Sequence, residues 1–284
     1  MTTRGDQGDR GVSALRASSA VVSYGGGDNS AAMLIGLYEH GERPDAIVFA
    51  DTGDEKPHTY AHLWEHMQPW CERVGFPSIT IVRGEQPRQI QDGSLSAECL
   101  RLGALPSKAQ GFASCSDKWK GDPSKKWLRR VGLYGSAVRY LGFHADEDQR
   151  AAQADTIADP AYASTRYPLI EWGWGPEECR AAHARAGMPS PGKSACFMCP
   201  SSKAHEILDL RRRYPDLLER ALLIERQAIN GEKQAPALHT VKGLGRRFAW
   251  RDFLVAADAP ELPQPQLDLF AATPERCSNE GCFT

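Results

Sequence analysis

Apolar residues in this chain come in short continuous runs, separated by helical patterns and by glycine-rich or polar joints. The first run, at 20–24, stops at Gly25-Gly26-Gly27 and is followed by Ala31, Ala32, Met33, Leu34, Ile35 and Leu37. That spacing predicts a strand, a tight glycine turn and a buried helix ending near His40-Gly41. Residues 45–51 (DAIVFAD) form an apolar run closed by a carboxylate, as in a strand buried within a parallel sheet. Residues 57–74 repeat Tyr60, Leu63, Trp64, Met67, Trp70 and Cys71 at helical spacing, and 78–83 (SITIVR) reads as a third strand. The alternation predicts right-handed βαβ units, hence an α/β protein with a parallel sheet.

The alternation lapses from 84 to 123. A short helix is expected at 94–102, then a loop rich in Gly, Ser and Lys, then a helix at 124–131 capped by Asp122. Residues 138–143 (VRYLGF) predict a fourth strand and 167–171 (YPLIE) a short fifth. A helix at 176–186 is ended by Gly187 and Pro189. Beyond a Cys196–Cys199 element, helical patterns cover 203–213, 215–229 and 246–257. The expected organisation is a mobile tail over 1–18, an α/β domain over 19–172, a helical cysteine-bearing portion over 173–257 and a Pro-rich tail over 258–284.

Composition narrows this picture modestly. With 284 residues, 41% hydrophobic and 25% charged, the chain can bury a sizeable core without disulfides. A formal net charge of −2 carries no global nucleic-acid signature. No run approaches the roughly 18 apolar residues of a membrane span, and the first residues lack the apolar stretch of a signal peptide. A cytoplasmic protein without a membrane partner is expected. In that compartment its eight cysteines are not structural disulfides. Cys71 and Cys179 fall within helical patterns and read as buried small hydrophobes, leaving the others as candidates for a metal or cluster. The eight histidines show no paired-ligand spacing and receive no role.

Chemistry begins at the glycine turn. Glycines let backbone N–H groups approach an anion, and a helix N-terminus adds unpaired donors and a favourable dipole. The stretch therefore reads as a phosphate cradle, against the plainer alternative of an ordinary βα turn. It is not a Walker loop, because no Gly-Lys-Ser/Thr follows. Nor is it a dinucleotide loop, because its glycines are consecutive.

At this point a resemblance becomes specific. Ser23-Tyr24-Gly25-Gly26-Gly27-Asp28-Asn29-Ser30 resembles the PP-loop of N-type ATP pyrophosphatases, Ser-Gly-Gly-x-Asp-Ser after a strand. Phe49-Ala50-Asp51-Thr52-Gly53-Asp54-Glu55 resembles the Asp-Thr-Gly signature of the phosphoadenosine-phosphosulfate (PAPS) reductase branch of that superfamily. The sequence departs from the pattern at three places: Gly25 stands for the first Ser, Asn29 for Asp, and Asp28 where many members carry Lys. The resemblance implies an adenine-nucleotide α-hydrolase-like fold. It also implies a nucleotide held by Gly25, Gly26, Gly27, Asp28, Asn29 and Ser30, with Ser23 beneath it. Asp51, Thr52 and Gly53 would contact the nucleotide or its Mg²⁺. Gly142-Phe143-His144-Ala145-Asp146-Glu147-Asp148-Gln149-Arg150 resembles a third family element, with Glu147 on the nucleotide side and Arg150 neutralising phosphate. Ser30, Asp51 and Arg150 are the implied catalytic residues.

Two cysteine elements extend the resemblance to PAPS reductase-like proteins of phage and bacterial mobile elements. They are Cys115-Ser116-Asp117-Lys118-Trp119-Lys120 and Lys193-Ser194-Ala195-Cys196-Phe197-Met198-Cys199-Pro200. By that likeness Cys196, Cys199 and Cys115, with Cys99 (or Cys277 or Cys282), would hold a [4Fe–4S] cluster, or alternatively Zn²⁺. Lys118, Lys120 and Lys193 would meet substrate. The implied activity is adenylation of an acceptor by ATP with release of pyrophosphate, serving sulfur transfer. The acceptor could be a nucleic acid base, a tRNA or a small molecule, the sulfur donor a cysteine desulfurase, and the assembly a homodimer. Two alternatives stand beside it: a PAPS or adenylylsulfate reductase, and a degenerate PP-loop protein that binds nucleotide or nucleic acid without turnover.

Overall fold

A computed structural model describes residues 18–84, 93–110, 114–156, 158–230 and 241–258. The two expected tails lie outside these residues except for Ser18 and Asp258, and so do Cys277 and Cys282. In chain order β1 (Ala20–Tyr24) leads into α1 (Asp28–Glu39), β2 (Ala46–Ala50), α2 (Pro57–His62), a π-helical turn (Leu63–Met67), α3 (Gln68–Arg73) and β3 (Ile79–Val82). After α4 (Leu95–Leu102) come α5 (Ser114–Ser116), a second π turn (Asp117–Gly121) and α6 (Asp122–Arg130). Then follow β4 (Val138–Tyr140), α7 (Asp148–Asp155), β5 (Ser164–Arg166), α8 (Pro168–Glu171) and α9 (Pro176–Arg185). The chain continues with α10 (Ala204–Arg213), α11 (Pro215–Asn230) and α12 (Trp250–Asp258).

The strands form one parallel sheet in the order β3-β2-β1-β4-β5, with Val22 beside Ile47 and Ala20 beside Val138. This is the expected α/β, Rossmann-like architecture with a helical C-terminal part. The order also locates a switch point. The chain winds outward from β1 through β2 to β3, and β4 then lands on the other side of β1. Open parallel sheets bind ligands outside the carboxyl ends of the strands at such a point.

Contacts divide the chain into two units. The first comprises Met1–Phe49, Ala61–Val82 and Pro123–Gly192, and the second Ala50–Tyr60, Arg83–Asp122 and Lys193–Thr284. The boundary therefore differs from the one expected near 172: α9 and the segment to Gly192 belong with the sheet, while 83–122 joins the C-terminal helices. In the first unit α1 is buried continuously from Ser30 to Leu37, because apolar or small residues occupy all its faces there and α9 packs against it. The core of the second unit is built from α4, α10, α11 and α12, with Trp119, Ile207, Ile224 and Trp250 at its centre. There Glu225 of α11 is buried and accepts N–H bonds from Leu244 (2.8 Å), Trp250 (2.8 Å) and Arg251 (3.0 Å), which caps the start of α12.

Three local expectations need correction. The fifth strand is Ser164–Arg166, and 168–171 is a short helix, because Pro168 fixes a helical φ and sits at a helix start. Asp122 is not a cap, since the backbone is already helical through the preceding π turn, whose Trp119 is buried. The last helix starts at Trp250, not 246: Arg246 has φ +62° and a β-bridge to Gly243 occupies the backbone before it.

Candidate functional site

In the first unit the glycine loop joins the central strand to a helix that begins at Asp28. Gly26 adopts φ +76°, a left-handed conformation that favours glycine and reverses the chain within the turn. Gly27 is extended and caps the helix; its carbonyl accepts from the Ala31 N–H (3.1 Å) and the Ser30 hydroxyl (3.0 Å). The Asp28 N–H is taken by the Gly192 carbonyl (3.0 Å). Helix geometry leaves the next two donors, Asn29 and Ser30, without an intrahelical acceptor. Ser23 lies one residue before the end of β1, where its hydroxyl accepts from Arg139 Nε (3.0 Å).

The Asp28 carboxylate accepts from the Ser190 hydroxyl and the Gly192 N–H (3.1 Å), with His183 Nε2 3.8 Å away. It is therefore committed to the 190–192 segment and α9.

The neighbouring strand end supplies the other half of this site. A Cβ on Gly142 would come within 3.1 Å of the Asn29 carbonyl group and of Ser30 Cα, so only glycine lets the end of β4 lie this close to the start of α1. Asn29 Nδ2 donates to Glu147 Oε2 (3.0 Å), and the other Glu147 oxygen accepts from Arg150 (2.5 Å), whose guanidinium lies 4.2 Å from the Phe143 ring centroid. The expected i,i+3 pairing of Glu147 and Arg150 is present, and it reaches the glycine loop through Asn29.

The second unit holds the Asp-Thr-Gly stretch. Asp51 is buried, and four donors fill its carboxylate: the Tyr60 hydroxyl (2.6 Å), the Gly53 N–H (2.8 Å), Arg83 Nε (2.8 Å) and a second Arg83 nitrogen. Burial, then the bond to Asp51, raises the Tyr60 phenol well beyond its ordinary value. With its lone pairs so occupied, Asp51 does not fit a Mg²⁺ ligand as it stands. Thr52 is buried with its hydroxyl 3.1 Å from Cys196 Sγ.

A β-bridge pairs Glu55 with Cys196, and Lys120 Nζ lies 3.0 Å from Glu55 Oε1; Glu55 Oε2 is buried with no hydrogen-bond partner. Burial, reinforced by Glu55, pushes the Cys196 thiol well up despite the opposing influence of Lys120 and Thr52. Burial alone would lower Lys120, but the carboxylate of Glu55 outweighs it and holds the ammonium charged.

The remaining predicted residues belong to the same unit. Cys99 is buried in the core, its thiol pushed up to about 12 by burial and then by Asp54, Glu98 and Cys115. Cys115 packs against that core from the side. Lys118 pairs with Glu98, which also accepts from Trp119 Nε1 (3.1 Å), and Lys193 pairs with Glu206 (3.0 Å). All three candidate substrate lysines therefore have carboxylate partners. Cys71 and Cys179 are buried thiols, as expected. Among the described residues no three His, Cys, Asp or Glu side chains are gathered to hold a metal ion. Cys196 and Cys199 offer two soft donors on one turn, which is half a site, and no reaction step is derived through a metal or cluster.

Sequence reading missed Tyr60 and Arg83 around Asp51, the role of Glu55 beside Cys196, and His183 behind Asp28. None carries a local motif, because each meets its partner across a fold-dependent distance. No protein-family model and no curated protein matches this chain. Among the described residues, no helix is long and apolar enough to cross a membrane.

Proposed function

We propose that the chain is a PP-loop enzyme of the ATP pyrophosphatase type, similar to the PAPS reductase-like branch. In this reading it adenylates an acceptor with release of pyrophosphate, in the service of sulfur transfer. One observation carries the reading. The glycine loop and the Gly142–Arg150 element leave adjacent strands, β1 and β4, on either side of the switch point, and Asn29 and Glu147 tie them together.

At that position the N–H groups of Asn29 and Ser30 in the first helical turn bind the phosphates, and Arg150 supplies positive charge. An acceptor oxygen attacks the α-phosphorus as its bond to the pyrophosphate oxygen breaks. The acceptor is left carrying AMP, a good leaving group, which a sulfur nucleophile then displaces. The chain's contribution is positioning and charge neutralisation by fixed donors. Mg²⁺ bound to the triphosphate would spread its charge; no protein ligand is assigned to it. The acceptor belongs to a class with an activatable oxygen, in a nucleic acid base, a tRNA or a small molecule, with a desulfurase persulfide as the sulfur source and a thiol reductant that cleaves the resulting disulfide to release the thiolated product.

The test is ATP binding by calorimetry together with pyrophosphate release in the presence of candidate acceptors. Removing one hydroxyl from the site, Ser30→Ala, should weaken ATP binding by about five- to tenfold, the worth of one hydrogen bond. Binding without release for any acceptor would favour the degenerate nucleotide-binding protein. Binding of a sulfonucleotide in place of ATP would favour the reductase.

A further inference from the structure

Behind the glycine loop, the first unit contains a second polar cluster. The Asp28 N–H donates to the Gly192 carbonyl (3.0 Å), while the Gly192 N–H and the Ser190 hydroxyl return to Asp28 Oδ1. His183 Nε2, from α9, lies 3.1 Å from the Asp28 carbonyl oxygen. His62 Nε2, from the end of α2, lies 3.0 Å from the Pro189 carbonyl oxygen. Both imidazoles are buried, with ring centroids 6.4 Å apart and planes nearly perpendicular. A carbonyl oxygen only accepts, so each Nε2 carries the proton and each Nδ1 presents a lone pair. Both Nδ1 atoms are buried without a hydrogen-bond partner.

We propose that residues 189–192 form a proton-sensitive strap, which holds the first turn of α1 in place only while His62 and His183 are both neutral. Its effect on nucleotide binding rests on the PP-loop reading; the strap itself does not. In the neutral state each imidazole makes one good bond to a backbone carbonyl. An added proton must go to Nδ1, where it creates a charge and a donor with no acceptor, both costly in a buried place.

The surroundings do little to relieve this. From α1 comes the Asp28 carboxylate, already receiving Ser190 and Gly192. The turn after α2 brings His66, whose ring centroid is 5.3 Å from that of His62, and a charge there opposes a second one. From α9 comes Cys179, a buried thiol, and the strap brings only the Ser190 hydroxyl.

Burial lowers both imidazoles: His183 falls below its ordinary value, and His62 falls to about 4, with His66 and His183 adding to the effect and Pro189 and Asp28 opposing it. A histidine depressed in the folded state contributes stability that is complete above its unfolded value, about 6.5, and is lost as pH falls from there toward its folded value. The strap therefore opens on the acid side. For His62 alone, linkage shifts the closed-to-open ratio about tenfold between pH 7.5 and 5.5.

Hydrogen exchange of the full chain at pH 7.5, 6.5 and 5.5, corrected for intrinsic rates, reads this directly in peptides covering 26–34 and 188–194. In the native chain, protection of both should fall by at least tenfold from pH 7.5 to 5.5, the share of His62 alone being about tenfold. His62→Gln and His183→Gln keep a donor near the Nε2 position and do not titrate, so each should reduce the fall by its own share and the double Gln variant should abolish it; His183→Ala should lower protection at every pH. An equal fall in the native chain and the double Gln variant, or none in the native chain, overturns the proposal. If a Gln variant does not fold, nitrogen-resolved NMR of the native chain decides. Neutral Nε2–H tautomers persisting to pH 5.5 support the strap, and a midpoint for both histidines at or above 6.5 overturns it. ATP with Mg²⁺, titrated at the same pH values, separates the two readings. No binding at any pH, with the exchange result intact, sinks the PP-loop reading and leaves the strap standing.

Discussion

Asp51→Asn removes a charge from a carboxylate whose two oxygens receive four donors inside the second unit. The side chain is 2% exposed, so water cannot replace what is lost. The bonds from Tyr60 and Gly53 are charge-assisted; made to a neutral amide, each drops from about 1.5–3 to about 0.5–1.5 kcal/mol. The Arg83 side chain is 65% exposed, which limits its ion pair to no more than about 1 kcal/mol. The amide must also turn its NH₂ toward at least one of these donors. The expected loss is about 2–4 kcal/mol, of the order measured when one partner of a buried pair is removed. Urea unfolding followed by tryptophan fluorescence measures it. Hydrogen exchange over 51–60 should accompany that measurement, because a chain of two units need not unfold in one step. A loss below about 0.5 kcal/mol together with abolished ATP turnover would refute the reasoning. Asp51 would then be a ligand residue and its four donors a resting arrangement.

Gly142→Ala forces the ends of β4 and α1 apart by a few tenths of an ångström; the expected cost is about 1–3 kcal/mol, read as a lowered Tm, with ATP binding weakened in parallel. Glu225→Gln leaves three amide donors, Leu244 before α12 and Trp250 and Arg251 at its start, sharing one carbonyl oxygen and should destabilise the second unit by about 2–4 kcal/mol in urea; an unchanged midpoint would show that α12 is capped otherwise. Cys99→Ser should leave the iron and zinc content of the purified protein unchanged, because Cys99 is buried among the apolar side chains of the second unit's core; loss of metal on that substitution would make it a ligand.

The regular part of the fold was legible because burial writes itself into the chain. Val21, Val22, Ile47, Val48 and Phe49 are buried in unbroken runs, and such runs identify the central strands of a parallel sheet. The fifth strand was not legible, since Ser164–Arg166 is polar and at the sheet edge, whereas the apolar YPLIE beside it is a helix opened by proline. The division into two units was hidden for a different reason. The second unit takes its residues from three separate stretches, and no composition change marks where the chain passes from one unit to the other. Within the site, the glycine turn and the Glu147–Arg150 pair could be read from local spacing. Tyr60, Arg83 and His183 could not, because their meaning lies in partners that only folding brings near.

Two of the three positions at which the loop departs from the PP-loop pattern, Asn29 and Asp28, have physical partners. Asn29 stands where the pattern has Asp, and its amide donates to Glu147. An aspartate there would set two carboxylates at hydrogen-bond distance, which forces one of them to take up a proton or move away. Asn29 and Glu147 are therefore a matched donor and acceptor that tie the loop to the segment after β4. Asp28 stands where many members carry Lys, and its carboxylate is tied to Ser190 and Gly192. The Asp28 carboxylate thereby fastens the first turn of α1 to the 190–192 segment. Neither substitution leaves a buried charge unpaired, so neither by itself argues against anion binding at the loop.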